Sequence, residues 1–100
     1  MYEYRAKVDR VIDGDTVDFI IDLGFHIKTK IRGRLDGVDT PERGHSDWHL
    51  ATAACEQLLA ELELEDEYIT IHTKKTGKYG RWIVRIPGVT DKLAERWPYE

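Results

Sequence analysis

Two neighbouring segments alternate apolar and polar residues, and this alternation limits the fold more than any other feature of the chain. Residues 17–23 place apolar side chains at every second position, and residues 25–35 repeat the pattern, with glycine at position 33. A period of two puts one face of each segment toward a core and the other toward water, which predicts two strands. Gly24 lies between the segments and predicts a tight hairpin.

The rest of the chain supplies three more strands and two helices. An apolar alternation begins at Tyr4 and slips in phase after Val8, which predicts a strand with a bulge. A stripe at helical spacing predicts a helix that starts at Ser46 or Asp47 and stops near Glu63. The remaining predicted elements are strands at residues 68–73 and 82–86 and a short helix at residues 91–97. The order indicates an α+β fold, mainly β: a five-stranded OB-fold Greek-key barrel with one main helix after the third strand.

Length and composition set the outer limits. One hundred residues suffice for a single domain, residues 1–100. Cys55 is the only cysteine, so no internal disulfide can form, and its place on the helical stripe predicts a core position. No apolar run approaches the length of a membrane span, and no export signal is visible. We therefore expect a cytoplasmic protein without a membrane partner, with secretion of a longer precursor left open.

Charge is unevenly distributed along the chain. The net charge of −4 is the wrong sign for coating nucleic acid by bulk electrostatics. Residues 44–73 hold seven acids and no lysine or arginine, whereas residues 26–35 and 74–85 hold only basic charges. These segments form either a polarised surface or solvated faces that keep the domain soluble.

Four acids fall in or beside predicted turns. Asp13, Asp15, Asp39 and Glu42 offer the oxygen ligands that calcium and magnesium prefer. Taken singly, the first two fit an Asx turn and the third fits a capped bend.

Two arginines and a basic loop are suited to phosphate. Arg34 and Arg81 carry forked donors that match phosphate oxygens, although either fits a solvated or ion-paired role. Lys78 and Tyr79 lie in a loop between glycines and can contact a phosphate and a base, or form an ordinary exposed turn.

Taken together, these residues resemble a known family. The stretches VIDGDTV at residues 11–17, RLDGVDTPE at residues 34–42 and KYGR at residues 78–81 are similar to motifs of the staphylococcal nuclease (thermonuclease) family. The resemblance covers roughly residues 5–86. It implies an OB-type barrel and a nuclease that hydrolyses DNA or RNA with one calcium ion and leaves 3′-phosphate ends.

The resemblance also implies roles for individual residues. Asp15 and Asp39 would bind the calcium ion through their carboxylates, and Thr40 through its carbonyl. Asp13 would act on the ion through water, and Glu42 would position or deprotonate the attacking water. The residues implied in phosphate binding are Arg34 and Arg81 at the reacting phosphate and Lys78 and Tyr79 at a neighbouring one.

The chain departs from the family in its short tail, residues 88–100. The usual aromatic platform for a base is reduced to Trp97 or Tyr99, and an exposed barrel flank leaves a homodimer open. Two alternatives to a nuclease remain. One is a non-catalytic OB-fold module that binds single-stranded nucleic acid, and the other is a scaffold or interaction domain.

Overall fold

Five strands close into a barrel in the order β1-β2-β3-β5-β4. The computed structural model describes residues 2–76 and 82–99, with the backbone alone at 75 and 76. The strands are β1 (Tyr2–Asp13), β2 (Thr16–Asp22), β3 (Lys28–Leu35), β4 (Ile69–Thr76) and β5 (Trp82–Arg85), and the helices are α1 (Trp48–Glu63) and α2 (Thr90–Arg96). The predicted α+β fold with one main helix after the third strand is confirmed.

The first strand bends where its apolar pattern slips. Strand β1 pairs antiparallel with β2, and the register shifts between Val8 and Arg10 and again between Val11 and Asp13. Bulges of this kind increase local twist and re-aim side chains near the end of a strand. The second shift comes directly before the turn that carries Asp13 and Asp15.

The hairpin between β2 and β3 is wider than the sequence suggests. The Leu23 amide donates to the Ile27 carbonyl over 2.9 Å, and the Ile27 amide donates to Gly24 over 2.8 Å. Phe25 and His26 adopt left-handed backbone conformations. These two residues therefore belong to the turn, and the third strand begins at Lys28 rather than at residue 25.

Helix α1 covers one side of the barrel with a narrow apolar stripe. Asp47 occupies the N-cap position, without a side-chain capping bond, and the helix ends at Glu63 as predicted. Its buried residues include Cys55 and Leu59, which join the core around Phe19. A stripe at this spacing buries its apolar side chains against the sheet and leaves the acidic residues in water.

The barrel closes through a parallel ladder. Strand β3 pairs with β5 at Gly33–Trp82, Arg34–Ile83 and Leu35–Val84. A Cβ atom on Gly33 would come within 2.6 Å of Val84 Cγ2, so this position admits only glycine without rearrangement. Beyond β5, helix α2 leads to a tail in which Pro98 forms a bridge with Val38.

Strand β1 supplies charged partners for both the acidic and the basic segments. Arg5 pairs with Asp66, and Lys7 Nζ lies 2.7 Å from Glu67 Oε1. On β3, Lys30 pairs with Asp9. These contacts favour solvated, mutually paired faces for the acidic segment. Neither of the two helices in the described ranges has the length and hydropathy to cross a membrane.

Candidate metal and phosphate site

Most of the functional candidates from the sequence meet in one cavity. It has a volume of about 250 Å³ and opens where β1 ends, β2 begins and β3 runs into its following loop. The residues that line it are Asp13, Asp15, Thr16, Arg34, Asp39, Thr40, Pro41 and Glu42. Among the described residues, four carboxylates and one guanidinium therefore face a single small space.

The turn between β1 and β2 packs closely against the loop after β3 and against helix α1. A Cβ atom on Gly14 would come within 2.8 Å of Thr40 Cγ2 and 2.9 Å of Ala51 Cβ. Distances below 3.0 Å force neighbouring atoms to move, so this position must be glycine if the turn is to touch both the loop and helix α1. The close approach fixes the acids on either side of Gly14.

Asp15 is the buried acid of the site. Its carboxylate accepts a hydrogen bond from the Thr16 hydroxyl at 3.1 Å and a longer one from the Thr40 amide at 3.4 Å. Burial raises the pKa of Asp15, while these two hydrogen bonds and the Arg34 guanidinium lower it and the Asp13 charge raises it further. The net direction is upward, so Asp15 is a carboxylate that lacks sufficient positive charge around it.

The guanidinium of Arg34 lies near two of the acids. Its Nη2 atom lies 3.6 Å from Asp15 Oδ2 and 3.8 Å from Asp39 Oδ1, which is too long for either contact to be a hydrogen bond. The guanidinium therefore keeps its donors available for another oxygen ligand. On its other side it lies 5.0 Å from the centre of the Tyr99 ring.

The loop after β3 combines a fixed end with exposed acids. Thr40 is buried, and its Oγ1 atom has no hydrogen-bond partner among the described residues. Asp39 donates its amide to the Trp97 carbonyl over 2.9 Å, yet 59% of its side chain is exposed. Glu42 is exposed as well. The backbone is held while both carboxylates can rotate.

Trp48 also belongs to the site, although none of the sequence motifs described above includes it. Its indole Nε1 donates to Asp13 Oδ1 over 2.6 Å. The signal available in the sequence was weak: Trp48 directly follows the predicted N-cap, where a side chain can face either solvent or the neighbouring strand ends. His45 and His49 are exposed and lie outside the cavity lining.

The donor set fits a hard cation by its chemistry, although the side chains do not form a closed cage. Among residues 2–76 and 82–99, no three His, Cys, Asp or Glu side chains lie close enough together to hold an ion directly. Carboxylate and carbonyl oxygens are nevertheless the ligands that calcium and magnesium take. Asp15 and Asp39 line the same cavity, and the exposed Asp39 side chain is free to change its orientation toward a bound ion.

Three of the predicted phosphate-binding residues fall outside the described part of the chain. These are Lys78, Tyr79 and Arg81. Their roles stay predictions.

Comparison with known proteins corrects the family assignment. No family model matches the chain. The chain is similar to Protein ParB of Escherichia coli, with 33% identity over 96 residues, which are 96% of this chain and 48% of that protein. It thus spans about half the length of this curated relative. The assignment to the staphylococcal nuclease family is therefore wrong, because three short motifs carried it. The residue roles now depend on the geometry described above.

Proposed function

We propose that this chain hydrolyses phosphodiester bonds in DNA or RNA with the help of one calcium ion. The observation that carries the proposal is the cavity that Asp13, Asp15, Asp39 and Glu42 line together with the guanidinium of Arg34. Such a set combines oxygen ligands for a cation with a forked donor for phosphate.

The residues that would hold the ion are the Asp15 and Asp39 carboxylates and the Thr40 carbonyl, with Asp13 acting through a bound water. A bound calcium ion supplies positive charge to the phosphate oxygens and favours deprotonation of nearby water. The raised pKa of Asp15 supports this assignment, because a buried carboxylate short of positive charge gains from a cation nearby.

Arg34 and Glu42 take the two roles at the reacting phosphate. Arg34 is three-quarters buried yet makes only long contacts, so its donors can bind the non-bridging oxygens where negative charge builds up. Glu42 lines the same cavity and is exposed, so it can orient a water and accept its proton. Arg81 would add a second guanidinium, and Lys78 and Tyr79 would hold a neighbouring phosphate.

The balance of charge makes the metal a requirement for binding substrate. Four carboxylates face one guanidinium among the described residues that line the cavity, so without a cation these residues together repel a phosphodiester. We therefore expect nucleic acid to enter the site only with calcium present. A module that binds nucleic acid without cleaving it has no such dependence.

The basic side chains of strand β3 already have partners, which argues against a module that binds single-stranded nucleic acid without cleaving it. Arg32 donates to Asp18 over 2.9 Å, Lys30 lies 2.8 Å from Asp9, and Lys28 donates to the Tyr68 hydroxyl over 2.8 Å. Basic side chains already held by neighbouring groups gain less from phosphate than free ones do. Strand β3 is thus a poorer platform for single-stranded nucleic acid than its sequence suggests.

The decisive experiment measures cleavage of denatured DNA and of RNA with calcium and with excess EGTA. We expect cleavage only with calcium, products with 3′-phosphate ends, and collapse of the rate in Glu42→Gln. Glu61→Gln is the matched control, because Glu61 is an exposed glutamate on α1 outside the cavity lining. Absence of cleavage by folded protein, or calcium-independent binding without cleavage, contradicts the proposal and favours a binding or scaffold domain.

Two further expectations from the sequence stay predictions. A homodimer is checked by sedimentation equilibrium across a range of protein concentrations. The cytoplasmic location is checked by fractionating cells that express the natural protein.

A further inference from the structure

The end of strand β1 and the start of helix α1 are joined by one short hydrogen bond. Trp48, the first residue of α1, donates its indole N–H to Asp13, the last residue of β1, and the two heavy atoms lie 2.6 Å apart. We propose that Trp48 is a positioning residue that aims the Asp13 carboxylate at the cation site. The inference rests on the proposed calcium-dependent function.

The chemistry of the donor explains why a tryptophan suits this place. An indole nitrogen carries one N–H and no acceptor, so it can hold Oδ1 of Asp13 and leave Oδ2 free. An arginine or lysine would hold the same oxygen but would also neutralise its charge. The indole fixes the carboxylate and leaves its full negative charge available to a cation.

Asp13 lies close enough to the other acids of the cavity to act on them. The negative charge of Asp13 raises the pKa of Asp15, so the two carboxylates act on each other. Arg34 forms its long contacts with Asp15 and Asp39. The described hydrogen bond to Asp13 comes from the neutral Trp48 indole, so the carboxylate can strengthen the attraction for a divalent ion.

The indole itself is held from several directions. The Arg43 guanidinium lies 5.1 Å from the centre of the Trp48 ring, and the His49 ring stands at 72° to it with the ring centroids 4.7 Å apart. The Trp48 amide donates to His45 over 3.1 Å, and the His45 amide donates to Glu42 over 3.0 Å. Two backbone hydrogen bonds thus connect Trp48 to Glu42. Trp48 ties Asp13 to the same turn that carries the proposed water-binding glutamate.

Removal of the N–H alone tests the inference. Trp48→Phe keeps an aromatic ring at the start of the helix and deletes the donor. We expect calcium affinity, measured by isothermal titration calorimetry with the metal alone, to fall by up to about tenfold, the lower end of the range for a lost supporting hydrogen bond, because Asp13 acts on the ion through water. We also expect kcat to recover at saturating calcium. Trp82→Phe is the control, because Trp82 lines a different cavity with Tyr4 and Thr73.

A double-mutant cycle separates positioning from packing. If Trp48 acts through Asp13, then Trp48→Phe has little further effect on calcium affinity in an Asp13→Asn background. A Trp48 that only packs would lower the melting temperature in both backgrounds and leave calcium affinity unchanged.

Three outcomes overturn the inference. Equal calcium affinity in wild type and Trp48→Phe, or fully additive effects in the cycle, contradicts it while leaving the proposed function intact. A wild-type protein that binds no calcium overturns both.

Discussion

The central carbon of the Arg34 guanidinium lies 5.0 Å from the centre of the Tyr99 ring. Arg34 belongs to β3 and Tyr99 to the tail, which is tied to the loop after β3 at two further points. The Tyr99 amide donates to the Gly37 carbonyl over 3.0 Å, and the Trp97 carbonyl accepts from Asp39 over 2.9 Å. The tail is therefore part of the wall that supports the cavity.

Loss of the Tyr99 ring should weaken the hold on Arg34. An exposed contact between a cation and an aromatic ring is worth about 0.5–1 kcal/mol, so we expect Tyr99→Leu to reduce kcat/KM roughly two- to fivefold. Tyr2→Leu provides the control, since Tyr2 is an exposed tyrosine on β1 that does not line the cavity. Equal rates for the wild type and Tyr99→Leu would mean that the ring does not orient Arg34.

Removal of Arg34 should have a much larger effect. A single group that stabilises charge in the transition state commonly contributes about 100-fold or more to the rate, so Arg34→Ala should lose at least that factor in kcat. Arg34→Lys keeps the charge but not the forked geometry, and we expect it to recover only part of the activity. Arg85→Ala serves as the control because Arg85 pairs with Asp36 outside the cavity. A near wild-type rate in Arg34→Ala would refute the assignment.

When no metal is bound, the buried Asp15 carboxylate should lower the free energy of unfolding. Its folded-state pKa is raised above the ordinary aspartate value, chiefly by burial. The folded protein therefore holds this proton more tightly than the unfolded chain does. Stability contributed by Asp15 is full below the unfolded pKa of about 3.9 and falls as pH rises through the raised pKa. In EGTA at pH 7, Asp15→Asn should be more stable than the wild type.

Thermal unfolding between pH 3 and pH 7 checks this prediction. The advantage of Asp15→Asn in EGTA should grow with pH and then level off. Calcium at one hundred times its Kd should stabilise the wild type by about 2.7 kcal/mol and the variant by far less. A variant that is less stable than the wild type in EGTA at pH 7 would contradict the prediction.

Substitution of Gly14 should reduce both the stability of the protein and its affinity for calcium. A methyl group at this position meets Thr40 and Ala51 at distances that force movement, and forced packing typically costs about 1–3 kcal/mol. Because Thr40 lines the cavity, we expect Gly14→Ala to lower calcium affinity too. Gly33→Ala is the matched control, since its new methyl group meets Val84 and Phe19 in the core. Equal losses of calcium affinity in both variants would indicate a general loss of stability.

Local patterns of residues predicted the fold well. The phase slip after Val8 predicted a bulge that the structure contains, because a change in alternation has few other backbone solutions. The apolar stripe placed the end of α1 at Glu63. The width of the β2–β3 turn was not predictable, because phenylalanine rarely adopts left-handed backbone, and the greater tendency of histidine to do so at position 26 does not by itself indicate a turn.

The sequence correctly predicted which candidate site residues lie together, whereas the protein family inferred from them was wrong. Asp13, Asp15, Arg34 and Asp39 do line one cavity, because turns and strand ends at one side of a barrel bring them together. The family assignment failed because short motifs specify a local turn and its side chains, not the ancestry of the whole chain. Trp48 was missed because its role depends on where α1 crosses the end of β1, which is a tertiary relationship.

The parallel ladder between β3 and β5 has a consequence for how the molecule assembles. Gly33 pairs with Trp82, so the segment between these partners holds helix α1 and strand β4 in full. The acids of the cavity, by contrast, come from the continuous stretch between Asp13 and Glu42. Pairing of distant segments is slow relative to formation of a local hairpin. We therefore expect the β1–β2–β3 meander to form early, with barrel closure as the late, rate-limiting event in folding.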